Sequence, residues 1–164
     1  MKYCMDCGGL LREEFHSERE GLVPRCTKCG AYQFPVFSCA VSMIILSPDR
    51  KRILLIQQYG RQDNILTAGY ISKGENAEQA AVREISEETG LEIKDIRYNK
   101  SEYFPKTNTL MINFICTASD DDLSGIDSDE VDHAEWFSYE QAREKIKPDS
   151  LAKKFLLMFL DKEK

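Results

Sequence analysis

Two glycines, Gly69 and Gly90, bracket a segment whose pattern leaves little choice of structure. Asn76 with Gln79 three residues on supplies a capping box, and Gly90 stands where a helix needs a left-handed residue beyond its end, so the spacing predicts a helix over 77–89. At about 3.6 residues per turn, Glu84, Glu87 and Glu88 fall within about 100° of arc, and their oxygens converge. Like charges so close either spread into solvent or are neutralised by a hard cation, and Mg²⁺ favours carboxylate oxygens combined with substrate phosphates. The other face carries Ala80, Ala81, Ile85 and Val82, which can pack on a sheet.

The cysteines constrain the amino-terminal end. Cys4-x2-Cys7-Gly and Cys26-x2-Cys29-Gly form two knuckles separated by 18 residues. Each knuckle turns backbone N–H groups toward the thiolates, the glycine after its second Cys permits the tight turn, and four ligands complete the tetrahedron that Zn²⁺ prefers. Four protein ligands leave no open coordination position, so Cys4, Cys7, Cys26 and Cys29 describe a structural zinc ribbon. A redox dithiol, the competing reading, needs one Cys-x-x-Cys pair at a helix start. Cys39 and Cys116 lie in apolar runs and read as small core residues.

With 164 residues the chain can bury one good core with a small appendage. Pro35 removes a ladder donor at the exit from the ribbon, which sets the expected boundary at 1–35 for the ribbon and 36–164 for the main domain. In that domain 36–46 reads as a strand ending at a Ser-Pro-Asp turn, with 53–58 as its hairpin partner, followed by a short strand over 65–70. Strands over 92–103 and 109–118 flank a loop at 104–108. Residues 119–132, with seven acidic side chains, read as a solvated loop, and 133–138 as a strand around Trp136. Ser138 and Gln141 cap a helix running to Lys147, Pro148 ends it, and Leu151, Phe155 and Phe159 stripe a last helix. A net charge of −6 with scattered Lys and Arg gives no stripe for duplex nucleic acid. No apolar run approaches the length of a membrane span and no signal-peptide core opens the sequence, so a cytoplasmic protein is expected.

Residues 69–91 resemble, at every specified position, the box of the Nudix hydrolases, Gly-x5-Glu-x7-Arg-Glu-aliphatic-x-Glu-Glu-x-Gly-aliphatic. Here these are Gly69, Glu75, Arg83, Glu84, Ile85, Glu87, Glu88, Gly90 and Leu91. The resemblance implies an α+β fold, the Nudix α/β/α sandwich with a mixed sheet flanked by helices, preceded by the four-Cys ribbon. It implies pyrophosphohydrolase activity on a nucleoside diphosphate linked to another group, with catalytic Mg²⁺ or Mn²⁺. Mapped onto this chain, Glu84, Glu87 and Glu88 would ligate the metal, and Glu84 or Glu88 would also orient or deprotonate the attacking water. The Ala68 carbonyl and a later glutamate, for which Glu130 is the candidate, would complete the set. Glu75 and Arg83 stand behind the ligands, Arg83 one turn before Glu87 and able to hold its carboxylate in a forked hydrogen bond.

The order of ribbon, Phe-Pro and box resembles the NADH pyrophosphatase branch. That branch carries Ser-Gln-Pro-Trp-Pro-Phe-Pro-x-Ser-Leu-Met after its box; here Ser101, Pro105, Leu110 and Met111 are retained, Phe104 stands for Trp, and Glu102, Tyr103, Lys106 and Thr107 depart. The expected substrate is therefore a small nucleotide, NAD(H)-like first, with ADP-ribose, nucleotide sugars or NAD-capped RNA as alternatives. A non-catalytic ligand sensor or protein-binding module is the other class, which the complete carboxylate set disfavours. Tyr70 and Phe104 could stack on a flat ring and Lys106 could pair with a phosphate. A homodimer stays open, since the ribbon could cap its own chain or contact a partner.

Overall fold

The computed structural model describes residues 2–127 and 129–162, so Ser128 of the acidic loop lies outside them. The chain divides into two compact units, Met1–Phe37 and Ser38–Lys164. In the first, β1 (Leu11–Ser17) and β2 (Gly21–Cys26) form an antiparallel hairpin between the two cysteine knuckles.

The second unit is built on a six-stranded sheet of β3 (Ser38–Leu46), β4 (Arg52–Gln58), β5 (Thr67–Tyr70), β6 (Ile93–Phe104), β7 (Thr109–Ala118) and β8 (Val131–Ser138), ordered β6-β7-β3-β4-β8 with β5 also on β3. It is a mixed sheet, because β3 runs parallel to β7 and its other pairings are antiparallel. Helices cover both of its faces, and the near-continuous apolar runs of β3 and β4 follow from that double burial. Val41, Met43, Ile45, Leu54 and Ile56 point to one face and meet Ala80, Ala81 and Ile85 of helix α1 (Ala77–Thr89). Ile44, Leu46, Ile53 and Leu55 point to the other and meet α2 (Tyr139–Lys145) and α3 (Leu151–Leu160) through Ala142, Leu156 and Phe159.

The expected hairpin of β3 and β4 is confined to its mouth. Only Leu46 and Ile53 pair, after which β4 follows β8 and β3 gives its free edge to β5 at residues 40–43. This splaying brings the loop leading into α1 back onto the central strand. The strand expected over 36–46 begins at Ser38, and the one over 65–70 at Thr67, with Ile65 making an isolated bridge to Ile56. Val82 is 43 % exposed, because one residue past Ala81 the helix has turned by about 100° toward the open side. Cys116 is fully buried and Cys39 half-buried. Among the described residues no helix is long and apolar enough to cross a membrane.

Candidate functional site

Helix α1 begins and ends as its sequence dictates. Asn76 accepts from the Gln79 N–H while the Gln79 side chain accepts from Asn76, and Gly90, at φ 71°, donates its N–H to Ser86. A Cβ on Gly90 would also collide with the backbone of Gly125 in the acidic loop, so that loop lies directly on the helix end.

Arg83 organises the start of the site. It donates in a fork to Glu75, Nε to Oε1 at 2.6 Å and Nη2 to Oε2 at 2.9 Å, and Nη1 reaches both Glu84 at 2.8 Å and Glu87 at 2.9 Å. Nη2 also donates to the Tyr70 carbonyl at 3.1 Å, so all five guanidinium N–H groups have an acceptor. The fork expected on Glu87 thus falls on Glu75, because the loop ahead of the helix folds back within reach while Glu87 stays largely in solvent. Arg83 and the Ser72 N–H together hold the Glu75 carboxyl down at about 2.

Glu88 is the buried member of the cluster, at 3 % exposure. Its Oε1 accepts from the Gln58 amide at 2.8 Å, and its Oε2 is buried with no hydrogen-bond partner. Burial pushes its carboxyl up to about 7; the Gln58 hydrogen bond opposes this, the charges of Glu84 and Glu130 add to it, and the nearby Ala68 backbone N–H, too poorly aligned to satisfy Oε2, opposes it least. The convergence expected of Glu84, Glu87 and Glu88 is incomplete: no three carboxylates among the described residues bring their oxygens within 4.8 Å of one another, because Arg83 draws Glu84 and Glu87 to itself. Buried polar atoms are rarely left unpaired, and the orphaned Glu88 oxygen, in the field of Glu84 and Glu130, suits a hard cation. Gly69 fits the same use, since a Cβ there would overlap the Glu84 carboxylate.

These groups open into a cavity of about 570 Å³. Ala68, Gly69, Tyr70, Arg83, Glu84, Glu88, Phe104 and Glu130 line it, together with Tyr59, Thr107 and Thr109. Glu87, Glu75 and Lys106 lie outside the lining, and Lys106 sits exposed on a 3₁₀ turn, Pro105–Thr107.

A family model described as the NUDIX domain matches residues 37–157. The chain belongs to the Nudix family. Among curated relatives, the NAD-capped RNA hydrolase NudC of Haemophilus influenzae is 31 % identical over 161 residues, covering 94 % of this chain and 58 % of the relative. The protein of the same description from Pseudomonas aeruginosa is 30 % identical over 139 residues, covering 84 % and 48 %. This chain thus spans half to three-fifths of the length of these relatives. A NUDIX hydrolase from Nitrosomonas europaea has the same fold, with a TM-score of 0.72 at 22 % identity over 99 % of this chain and 92 % of that one. The NUDIX domain of Shewanella oneidensis NrtR, solved with ADP ribose, gives 0.65 at 14 % identity over 80 % and 91 %.

Within this Nudix domain, most departures from the NADH pyrophosphatase segment fall outside the cavity. Glu102 pairs with Lys154 of α3 and the Tyr103 hydroxyl donates to Asn108, whereas Thr107 lines the cavity. Sequence reasoning missed Tyr59 and Gln58. Their signal was there in part: two glutamines close an otherwise apolar strand, and Tyr59-Gly60 forms a left-handed turn at φ 57° and 68°.

In the ribbon unit, the four thiol sulfurs lie within 4.8 Å of one another, the one such metal-ligand group among the described residues. The Cys4–Cys29 and Cys7–Cys26 separations are 3.8 and 3.5 Å. A tetrahedron with Zn–S of about 2.3 Å would set sulfurs about 3.8 Å apart, and a disulfide about 2 Å. The Cys29 and Lys28 N–H groups point at Cys26 Sγ and, the Cys29 one first, draw its thiol down, whereas Cys29, against its Ala31 N–H, is pushed up by the sulfurs of Cys7 and Cys26.

Proposed function

We propose that this chain is a Mg²⁺- or Mn²⁺-dependent hydrolase that cleaves the diphosphate of a nucleoside diphosphate derivative, NAD(H)-like dinucleotides before others, with a structural zinc in its ribbon. The observation that carries the reading is the meeting of Glu84, Glu88 and Glu130 with Tyr59, Tyr70 and Phe104 around one cavity. A diphosphate needs its negative oxygens neutralised and a water positioned, while a base or nicotinamide ring needs an apolar face.

Glu84, Glu87, Glu88, the Ala68 carbonyl and Glu130 would hold the metal, which when bound neutralises phosphate oxygens and acidifies a water. Arg83 aims Glu84 and Glu87 by donating to both, and is itself fixed by its fork to Glu75. Glu84 or Glu88 orients the attacking water or takes its proton. Tyr70 and Phe104 offer flat faces to the ring system. Lys106, on the neighbouring turn, would meet a phosphate only outside the cavity lining. NAD-capped RNA is the second reading, favoured by the description of the curated relatives. Six free cysteines, four of them gathered as ligands, support a reducing, cytoplasmic setting.

The test is incubation of purified protein with Mg²⁺ and NADH, NAD⁺, ADP-ribose, nucleotide sugars or NAD-capped RNA, with products identified by mass. Turnover of a dinucleotide at a rate lost in Glu88→Gln is the expected result. A wild type no faster than Glu88→Gln on every compound would overturn the reading in favour of a ligand sensor.

A further inference from the structure

We propose that Gln58 is a positioning residue for the metal site, holding one oxygen of Glu88 so that the other is presented to a divalent cation. The proposal rests on the metal-dependent reading above. Gln58 is the last residue of β4 and is 8 % exposed. Its Nε2 donates to Oε1 of Glu88 at 2.8 Å, both groups being buried, while Oε2 of the same carboxylate has no partner. A carboxylate with one oxygen tied and one free has a fixed orientation, which a buried cation site requires.

The donor's chemistry suits the task. A Lys or Arg here would compete with a cation for the carboxylate, and an apolar residue would leave both oxygens untied. A neutral amide fixes Oε1 and adds no positive charge. The adjacent Gln57 has a separate use, its amide donating to Asn64 Oδ1 at 3.0 Å and the Gln62 carbonyl at 3.2 Å in the following loop.

The backbone gives Gln58 a second hold on the site. Gln58 pairs with Val131, the residue after Glu130, and the ladder then slips so that Asp132 is left over in β8. The Asp132 carboxylate accepts the Gly60 N–H at 2.7 Å, closing the turn that follows Gln58. Bulges next to active sites commonly re-aim side chains in this way. One residue thereby ties the Glu88 side chain on α1 to the strand start beside Glu130, and the spacing of two candidate ligands depends on it.

The experiment is a titration of the zinc-loaded full chain with Mn²⁺ in the absence of substrate, with free Mn²⁺ followed by electron paramagnetic resonance. The proteins are wild type, Gln58→Met, Glu88→Gln and the double variant, and thermal melting confirms folding. Methionine keeps the length of glutamine and removes the donor; Gln58→Ala replaces it if the thioether does not fit. Gln58→Met is expected to stay folded at a lowered melting midpoint, because Glu88 Oε1 loses its buried donor, to bind Mn²⁺ about 10-fold more weakly, and to have no added effect on Mn²⁺ affinity once Glu88→Gln is present. Wild-type affinity in Gln58→Met, or an equal loss in the Glu88→Gln background, overturns the proposal and leaves the metal-dependent reading standing. A wild type that binds no Mn²⁺ overturns both.

Discussion

Gly69 and Glu84 share space that a single added carbon would take: a Cβ built on Gly69 overlaps the Glu84 carboxylate. Strand β5 and helix α1 can approach this closely only because residue 69 has no side chain. Gly69→Ala should therefore push the Glu84 carboxylate aside without exposing core. We expect kcat on the wild-type substrate to fall by about 10²-fold, as misplacing a reacting group by an ångström does, with little change in melting midpoint. Full activity in Gly69→Ala would mean that Glu84 has no need of its present position.

The Glu75–Arg83 fork gives a pH prediction with a definite sign. The folded-state pKa of Glu75 is depressed to about 2, first by the Arg83 hydrogen bonds, against about 4.3 for an unperturbed glutamate. A depressed carboxylate stabilises the fold fully above its unfolded pKa and loses that contribution as pH falls through the folded one. The difference in melting midpoint between wild type and Glu75→Gln should be constant above about pH 5 and shrink between about pH 4 and pH 2. A difference that stays flat down to pH 2 would show that the fork is not what separates the two proteins.

How far the sequence reaches can be judged at particular residues. Helix α1 was legible to its terminal residue because its caps are local: Asn76, Gln79 and Gly90 act within one turn of the chain. The four thiols were legible because a metal tetrahedron imposes its own spacing. The hairpin of β3 and β4 was misjudged because nothing local says that β4 will leave β3 for β8. Gln58 and Tyr59 were missed for a related reason, since Glu88 reaches Gln58 from 30 residues away and the cavity beside Tyr59 is assembled from segments as distant as Ala40 and Glu130. Val82 was assigned to the wrong face because an apolar residue beside a buried stripe carries no mark of its own phase.

A buried polar network ties the sheet to its last helix. Asn99 is the extra residue of a bulge in β6; its Nδ2 donates to Asn113 Oδ1 at 2.9 Å and to the Phe155 carbonyl of α3 at 3.3 Å. Asn113 in turn donates to the Ser42 carbonyl and hydroxyl at 2.9 and 3.0 Å. Asn113→Leu keeps the branched outline of the side chain but deprives the Asn99 amide of one of its two acceptors and the Ser42 hydroxyl of its buried partner. A loss of about 2 kcal/mol is expected, or about 4–8 °C in melting midpoint for a chain of this size. The double change Asn99→Leu with Asn113→Leu should cost less than the sum of the single changes, because fewer orphaned groups remain.

Removal of the zinc proposed for the four thiols should act on one unit of the chain. The ribbon unit buries little besides Cys4, Cys26 and Val23, and Phe15 and Leu22, paired across its hairpin, are each more than 60 % exposed. So small a core cannot hold a fold without a staple, and the binding free energy of the metal becomes its folding free energy. The Ser38–Lys164 unit has two apolar clusters of its own, one on each face of the sheet. A chelator strong enough to strip a tetrathiolate site should therefore abolish hydrogen-exchange protection over residues 4–33 and leave that of β3, β4 and β7 near its starting value. Cys26→Ser should give the same pattern without chelator. Protection retained in the ribbon after the metal is gone would show that the thiols pack, rather than ligate, to hold it.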